Sequence, residues 1–274
     1  MLKVASLNAN GIRAAYRRGM GAWLAASAPD VLALQEVRAG TSDLLELLGP
    51  EWHVAHAPCA TAGRAGVAVA SRRPLVGSRV GLEEVEPEHR AELTGRWVEA
   101  EVPLGGGRVL TVASVYVPKG AAGTDRMGAK YAFLDAMSLR LAELARSGGS
   151  EGEEPAAVVA GDLNIAHRRE DLKNWQGNLG SAGFLPRERE YLDRWLNGAG
   201  WVDVGRRLAG PGPGPYTWWS WRGRAFDSDT GWRIDYQLAF GAAAEAARSA
   251  SVDRACNYAE RLSDHAPIVA AYEL

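Results

Sequence analysis

AVVAGDLN, Ala157–Asn164, decides how this chain is read. Four small or β-branched apolar residues run into a glycine, an acid and an asparagine, the pattern of a short strand that delivers polar groups at its end. The same form recurs on either side of it. VASLN (Val4–Asn8), VLALQE (Val31–Glu36), WHVAHA (Trp52–Ala57), GVAVAS (Gly66–Ser71), WVEAEV (Trp97–Val102) and VLTVASVYV (Val109–Val117) precede it, and RIDYQLAF (Arg233–Phe240) and IVAAYEL (Ile268–Leu274) follow. Helical patterns separate only some of these runs. They cover Met20–Ala28, Thr41–Leu48 with Thr41 or Ser42 as the cap, Arg126–Arg146, and Pro186–Asn197 with proline at its start and Gly198 at its end. Many strands, several helices and no sustained strand–helix alternation predict an α/β four-layered sandwich. Two mixed β-sheets pack face to face in it, with helices outside.

The 274 residues exceed the roughly 100–200 of a common domain, but large sandwiches reach about 250 as one unit. Two stretches read as flexible, Ser147–Glu154 (SGGSEGEE) and Gly210–Pro215 (GPGPGP). Neither separates regions of different composition, so a single domain over 1–274 is expected. No apolar run approaches the ~20 residues of a membrane span, and MLKVASLNANGIR reads as a strand rather than a signal peptide. Cys59 and Cys256 make neither a disulfide framework nor a zinc site. A cytoplasmic monomer with no membrane partner is the expectation. A net charge of -2 excludes a generally basic coat and leaves room for a local basic face. Only Lys3, Lys119, Lys130 and Lys173 are lysines among 31 basic residues. Arginine suits bidentate phosphate contacts, although a GC-rich coding sequence also gives abundant Arg, Ala and Gly.

The ends of the runs carry the chemistry. Asn8 closes the first, Glu36 the second, and Asp162 and Asn164 the central one; Asp235 opens RIDYQL, and Ser263-Asp264-His265 precedes the last strand. Active groups collect beyond strand ends because the core fixes the strand while the loop stays accessible. Converging Asp, Glu and Asn without a Cys/His cluster would make an oxygen-rich site for Mg²⁺ or Mn²⁺, not zinc. Taken singly, each residue has a plainer explanation. Glu36 fits a solvated strand end, Asp162 and Asn164 an Asx-type turn, Asn8 a turn cap before Gly11, Tyr116 a core aromatic, and Asp235 a surface ion pair with Arg233. Their joint occurrence and order carry the argument.

Together these segments resemble the exonuclease III family of abasic-site endonucleases, within the DNase I-like endonuclease/exonuclease/phosphatase group, over essentially the whole chain. SLNANGIR, LQEVR, VYVP, GDLNIA, GWRIDYQL and LSDHAPIVA match motifs of the broad group. AGFLPRERE (Ala182–Glu190) is similar to a segment typical of the exonuclease III relatives. YTWWSWR with GWRID is similar to the aromatic rim of the abasic-site pocket. Two departures stand out. Val37 and Arg38 follow Glu36 where the family has a small polar residue and lysine, and Trp218, Trp219 and Trp221 make the rim unusually rich in tryptophan.

The resemblance implies hydrolysis of DNA 5′ to an abasic site, with 3′–5′ exonuclease and 3′-phosphodiesterase activity on double-stranded DNA bearing abasic sites or 3′ ends. It implies Glu36 as a metal ligand with Asp264 beside it, and Asn8, Asp162 and Asn164 around the same Mg²⁺ or Mn²⁺. Asp162 would deprotonate the water, held by Asn8 and Asn164. His265, oriented by Asp235, would contact the phosphate, and Tyr116 would stabilise its oxygens. Arg13, Arg126, Lys130, Arg168, Lys173, Arg222 and Arg224 are candidate DNA contacts, with solvated surface charge as the plainer reading. Trp218 and Trp232 are expected to face the extruded sugar, or else to be core residues. Two other classes share the broad motifs: a DNase I-like phosphatase acting on inositol phosphates or phospholipid head groups, and an inactive binding relative. AGFLPRERE and the aromatic rim speak against the first, and the filled key positions against the second.

Overall fold

The computed structural model describes residues 1–83, 85, 87–147 and 154–274. In chain order the elements are β1 (Leu2–Asn8), α1 (Ile12–Arg17), α2 (Met20–Ser27), β2 (Val31–Gln35), α3 (Thr41–Leu48), β3 (His53–Ala57), β4 (Val67–Ser71), β5 (Gly77–Val80), β6 (Trp97–Gly105) and β7 (Arg108–Tyr116). They continue with α4 (Arg126–Leu144), β8 (Ala156–Asp162), α5 (Pro186–Asp193), β9 (Val202–Asp203), α6 (Val204–Ala209), β10 (Asp235–Gly241), α7 (Ala242–Ala246), β11 (Ala247–Val252) and β12 (Ile268–Tyr272). The strands form two six-stranded mixed sheets, ordered β11-β12-β1-β2-β4-β3 and β5-β6-β7-β8-β10-β9. The expected four-layered sandwich is the observed one.

Alternation along the strands builds the layers. Leu2, Val4, Val31, Ala33, Val67 and Val69 point from the first sheet into the space between the sheets. They meet Val98, Val112, Val158, Ala160 and Ala239 of the second. The intervening residues Ala5, Leu7, Leu32, Leu34 and Ala68 face α1–α3 on the outside. On the other side Ala113, Val115, Val159 and Leu238 face α4 and α5 through Phe133, Leu134, Met137 and Leu192.

The inward rows change character toward one end. Val4 is followed by Ser6 and Asn8, Ala33 by Gln35, Val112 by Ser114 and Tyr116, and Ala160 by Asp162; β10 runs oppositely and starts with Asp235 and Gln237. Buried neutral polar groups bridge the sheets just before that end. Gln35 Nε2 donates to Ser114 Oγ at 2.9 Å, and Tyr272 donates to Gln237 at 2.8 Å. Register then sets Asp162 beside both Tyr116 and Asp235. Gly161 makes this possible: a Cβ there would lie 2.1 Å from the Val115 carbonyl oxygen.

Four expectations need correction or a boundary. Thr41 is the first residue of α3 rather than its cap, and its hydroxyl is paired with His56 Nδ1 at 2.9 Å. The α5 pattern is regular only to Asp193 and then widens into a π-type turn to Gly198. Gly210–Pro215 is strapped down: Arg206 donates to the carbonyls of Gly210 and Gly212, and the Gly214 N–H donates to Glu170. The stretch Ser147–Glu154 lies largely outside the described residues, which lack 148–153.

Candidate active site

A cleft of about 440 Å³ opens where the inward rows end. Its floor and walls carry Glu36, Tyr116, Asp162, Asn164, Trp218, Trp232, Asp264 and His265, together with Asn10, Arg38 and Lys119. The backbone is bent to present them. Glu36, Asn164, Asn10 and Arg38 all have positive φ, between 46° and 52°, a conformation that costs non-glycine residues energy and concentrates at functional sites.

Asp162 is the centre. One oxygen accepts the Asn164 backbone N–H at 2.8 Å, which is the Asx-type turn its sequence allowed. The other accepts Asn8 Nδ2 at 2.9 Å and Asn164 Nδ2 at 3.3 Å. The same Asn8 amide donates to Glu36 at 2.9 Å, so one side chain spaces the two carboxylates. Asn8 Oδ1 is taken by the Asn10 N–H. Asn8 thus turns nitrogen to both carboxylates, and in this geometry it orients acidic groups rather than offering an oxygen to a cation. Asn164 likewise donates through Nδ2, to Asp162 and to the Val117 carbonyl.

His265 Nδ1 lies 2.9 Å from Asp235, whose carboxylate also accepts the Thr217 hydroxyl at 2.6 Å. Its Nε2 is 3.7 Å from Asp162. Burial disfavours charge on His265, but Asp235 and Asp162 outweigh it and raise its proton affinity above the ordinary histidine range. Burial, with Asp235 and Glu36 nearby, holds Asp162 above the ordinary carboxylate range despite His265. Burial, with Glu36 and Asp162 nearby, pushes the Tyr116 hydroxyl up, so it stays a donor. Asp264 works differently. Asn10 Nδ2 at 2.8 Å and Trp218 Nε1 at 3.0 Å bind it and, with His265, hold its carboxyl low against the effect of burial.

Glu36, Asp162 and His265 can bring one ligand atom each within 4.8 Å of one another. Asp264 lines the same cleft but is outside this tightest set. The oxygen-dominated donors without cysteine fit a hard divalent cation.

Trp218 and Trp232 form one wall. Their rings meet edge to face at 6.4 Å, and Trp218 is bridged through backbone to both Trp232 and His265. They are half-buried, neither pure core nor free surface. The candidate basic contacts divide. Arg13, Arg126, Arg168, Lys173, Arg222 and Arg224 are exposed outside the cleft, Arg13 paired with Asp43 at 2.5 Å. Lys130 is a correction: it is fully buried, because α4 turns that face inward, and cannot touch DNA. The cations inside the cleft are Arg38, paired with Glu36, and Lys119, whose ammonium is 5.7 Å from the Trp218 ring centre. Neither Lys119 nor Asn10 stands out in the sequence as a site residue. Their one signal is adjacency, to VYVP and to Asn8.

The sequence profile of the Endonuclease/Exonuclease/phosphatase family matches residues 5–265. The chain belongs to this family. Within it the chain sides with the exonuclease III branch. An exodeoxyribonuclease of Bacillus subtilis is 32% identical over 271 residues, covering 97% of this chain and 98% of that protein. The DNA repair nuclease APEX1 of Danio rerio is 32% identical over 241 residues, 86% of this chain and 72% of that protein. Two solved folds cover all of this chain and of their own at 26% identity. They are an AP endonuclease from Archaeoglobus fulgidus (TM-score 0.81) and the 3′ phosphatase NExo from Neisseria bound to a product DNA hairpin (TM-score 0.83). This exonuclease III-type chain is a hydrolytic nuclease of a metal-dependent family.

Proposed function

We propose that this DNA repair nuclease hydrolyses the DNA backbone 5′ to abasic sites, leaving a 3′-hydroxyl, and trims 3′ ends at the same centre. Mg²⁺ is the proposed cation, with Mn²⁺ fitting the same donors. The observation that carries the reading is the juxtaposition of the Asp162–Asn8–Glu36 floor with the tryptophan wall in one cleft. The floor supports phosphodiester hydrolysis. The wall supports selection of a sugar that lacks a base.

Glu36, with Asp162 or Asp264 beside it, would hold the cation, which supplies charge for a phosphoryl oxygen and a departing alkoxide. Asp162 accepts the proton of the attacking water. Its raised proton affinity suits a base, and three donors fix its direction. Asp235 holds His265 by Nδ1, so Nε2–H faces the cleft as a cationic donor to a phosphate oxygen. Tyr116, whose hydroxyl keeps its proton, donates a hydrogen bond to the same phosphate. Lys119 and Arg38 add positive charge beside the scissile group. These groups stabilise charge as it develops, from fixed positions.

The test is a labelled duplex with one abasic analogue, an undamaged duplex and phosphoinositide, each with and without Mg²⁺. A single Mg²⁺-dependent cut 5′ to the analogue is expected. Equal cutting of undamaged duplex, or phosphate release from the phosphoinositide instead, overturns the reading.

A further inference from the structure

AGFLPRERE contains Glu188, a carboxylate with no exposed surface. Its partner is Lys130, equally buried, at 2.5 Å. We propose that the Lys130–Glu188 pair is a positioning device that sets the wall of the cleft against its floor, and so governs how well the nuclease selects abasic DNA. The proposal rests on the reading above.

Every bond the pair makes goes to backbone of cleft-lining segments or their neighbours. Lys130 has three ammonium protons and three acceptors: Glu188, the Asn164 carbonyl at 2.9 Å and the Lys119 carbonyl at 3.2 Å. Glu188 accepts the Gly183 N–H at 2.7 Å and the Leu185 N–H at 2.9 Å. One ion pair therefore ties the loop of Asn164, which holds Asp162, to the loop of Lys119 and to the Ser181–Gly183 wall. The fit leaves no slack. Gly183 has φ +92°, and a Cβ there would lie 3.0 Å from the Asn164 carbonyl oxygen and 3.3 Å from the Trp232 ring. The Gly183 carbonyl in turn accepts the Ala166 N–H at 2.8 Å.

The attraction between the two charges does not by itself call for this arrangement. Apolar side chains of similar volume often replace a buried ion pair with no loss of stability, because both charges must be stripped of water. What they cannot do is hold two carbonyls and two N–H groups at fixed places. Charge here supplies position. Asn164 in its left-handed conformation and Gly183 against Trp232 need that restraint, since a shift of an ångström at either would misplace Asp162 or reshape the sugar pocket.

The experiment compares wild type, Glu188→Gln and the double variant Lys130→Met/Glu188→Leu. It measures the melting temperature, kcat and KM for incision at an abasic analogue, and the rate of 3′-end trimming on undamaged duplex. The double variant is expected to stay folded but to melt below wild type, because the Lys119 and Asn164 carbonyls and the Gly183 and Leu185 N–H groups lose their partners. Its abasic kcat should fall about tenfold or more, with KM changed less, and its abasic-to-undamaged ratio should fall about fivefold. Glu188→Gln keeps the shape and one accepting oxygen, and should fall between. A folded double variant with kcat and ratio within twofold of wild type overturns the proposal. If the double variant does not fold, an unchanged ratio in Glu188→Gln does so. If wild type itself shows no abasic preference, the functional reading fails. The strut is then judged by 3′-end trimming, where an unchanged kcat in Glu188→Gln overturns it and a fall supports it.

Discussion

Asp162 and Asp171 are the same residue type, both essentially without exposed surface, and their proton affinities move in opposite directions. Asp171 meets Arg233 at 2.6 Å and also Arg206, and Arg233 continues to Asp203 at 2.8 Å. Two buried carboxylates share two guanidinium groups. Burial opposes the charge on Asp171, but Arg233 and Arg206 win and hold its carboxyl at about 2. In the cleft, Asp162 and Asp235 share one imidazole, and Asp162 ends above its ordinary range. The first cluster is charge-complete. The second is short of positive charge, which a divalent cation and a protonated imidazole would supply during phosphate chemistry. Completed charge marks scaffold, and charge held incomplete marks the site.

The largest effects should follow from breaking the incomplete cluster. Asp162→Asn and His265→Ala are each expected to lower turnover by about 10²–10⁴. Binding of abasic DNA should persist, because phosphate contacts elsewhere hold the duplex. Asp162→Asn should leave the melting temperature unchanged or raised, since it removes an under-compensated buried charge. Either variant cutting within tenfold of wild type breaks the contrast. Chelation should abolish cleavage and Mg²⁺ restore it. Mg²⁺ should also raise the melting temperature of wild type, by about 2.7 kcal/mol of stability at a hundred times the dissociation constant. That rise should shrink in Glu36→Ala. Full activity in excess chelator would remove the metal.

The completed cluster should respond in stability, not chemistry. Asp171→Asn leaves Arg233 buried and under-paired, and should cost about 3 kcal/mol with kcat per folded molecule little changed. Its titration gives a smaller effect. The folded value of about 2 lies below the usual 3.8, so the contribution is present above pH 4 and is lost as pH falls toward 2. That loss amounts to about 2 kcal/mol. Denaturant unfolding of wild type and Asp171→Asn at pH 6 and pH 2.5 measures it. Equal pH slopes for the two proteins would show that Arg233 and Arg206 do not hold the Asp171 charge.

The two clusters differ too in how far the sequence revealed them. Asn8, Asp162 and Asp235 lie on the row that also packs the core, so the strand pattern that predicts the sandwich also predicts where the acids meet. Lys130 reads as a DNA contact because a lysine in a helical pattern carries no mark of which face is covered, and its partner lies 58 residues on, in another helix. Lys119 and Asn10 lie on loops whose path depends on packing by other segments. The strands β5, β9 and β11 are short or exposed and carry little apolar alternation. Asp171 carries no mark in the sequence either, since its burial depends on Arg233 and Arg206 closing on it from distant segments.

The smallest effect tests the wall, where neither kind of charge cluster operates. Trp218 and Trp232 meet edge to face, and Trp218 alone touches charge, through its N–H to Asp264 and the Lys119 ammonium over its ring. Replacing either by Ala opens the pocket to a nucleotide that still has its base. The ratio of cleavage efficiency on abasic and undamaged duplex should therefore fall about tenfold for each variant, the scale of a modest change in an apolar pocket. Trp218→Phe keeps the ring and drops the N–H, so its ratio should stay nearer wild type while turnover falls slightly as Asp264 loosens. Phosphate contacts carry no lesion information, so the salt dependence of binding should match wild type in all three. An unchanged ratio in folded Trp232→Ala would make this wall part of the scaffold, like the Asp171 cluster, and move lesion selection elsewhere.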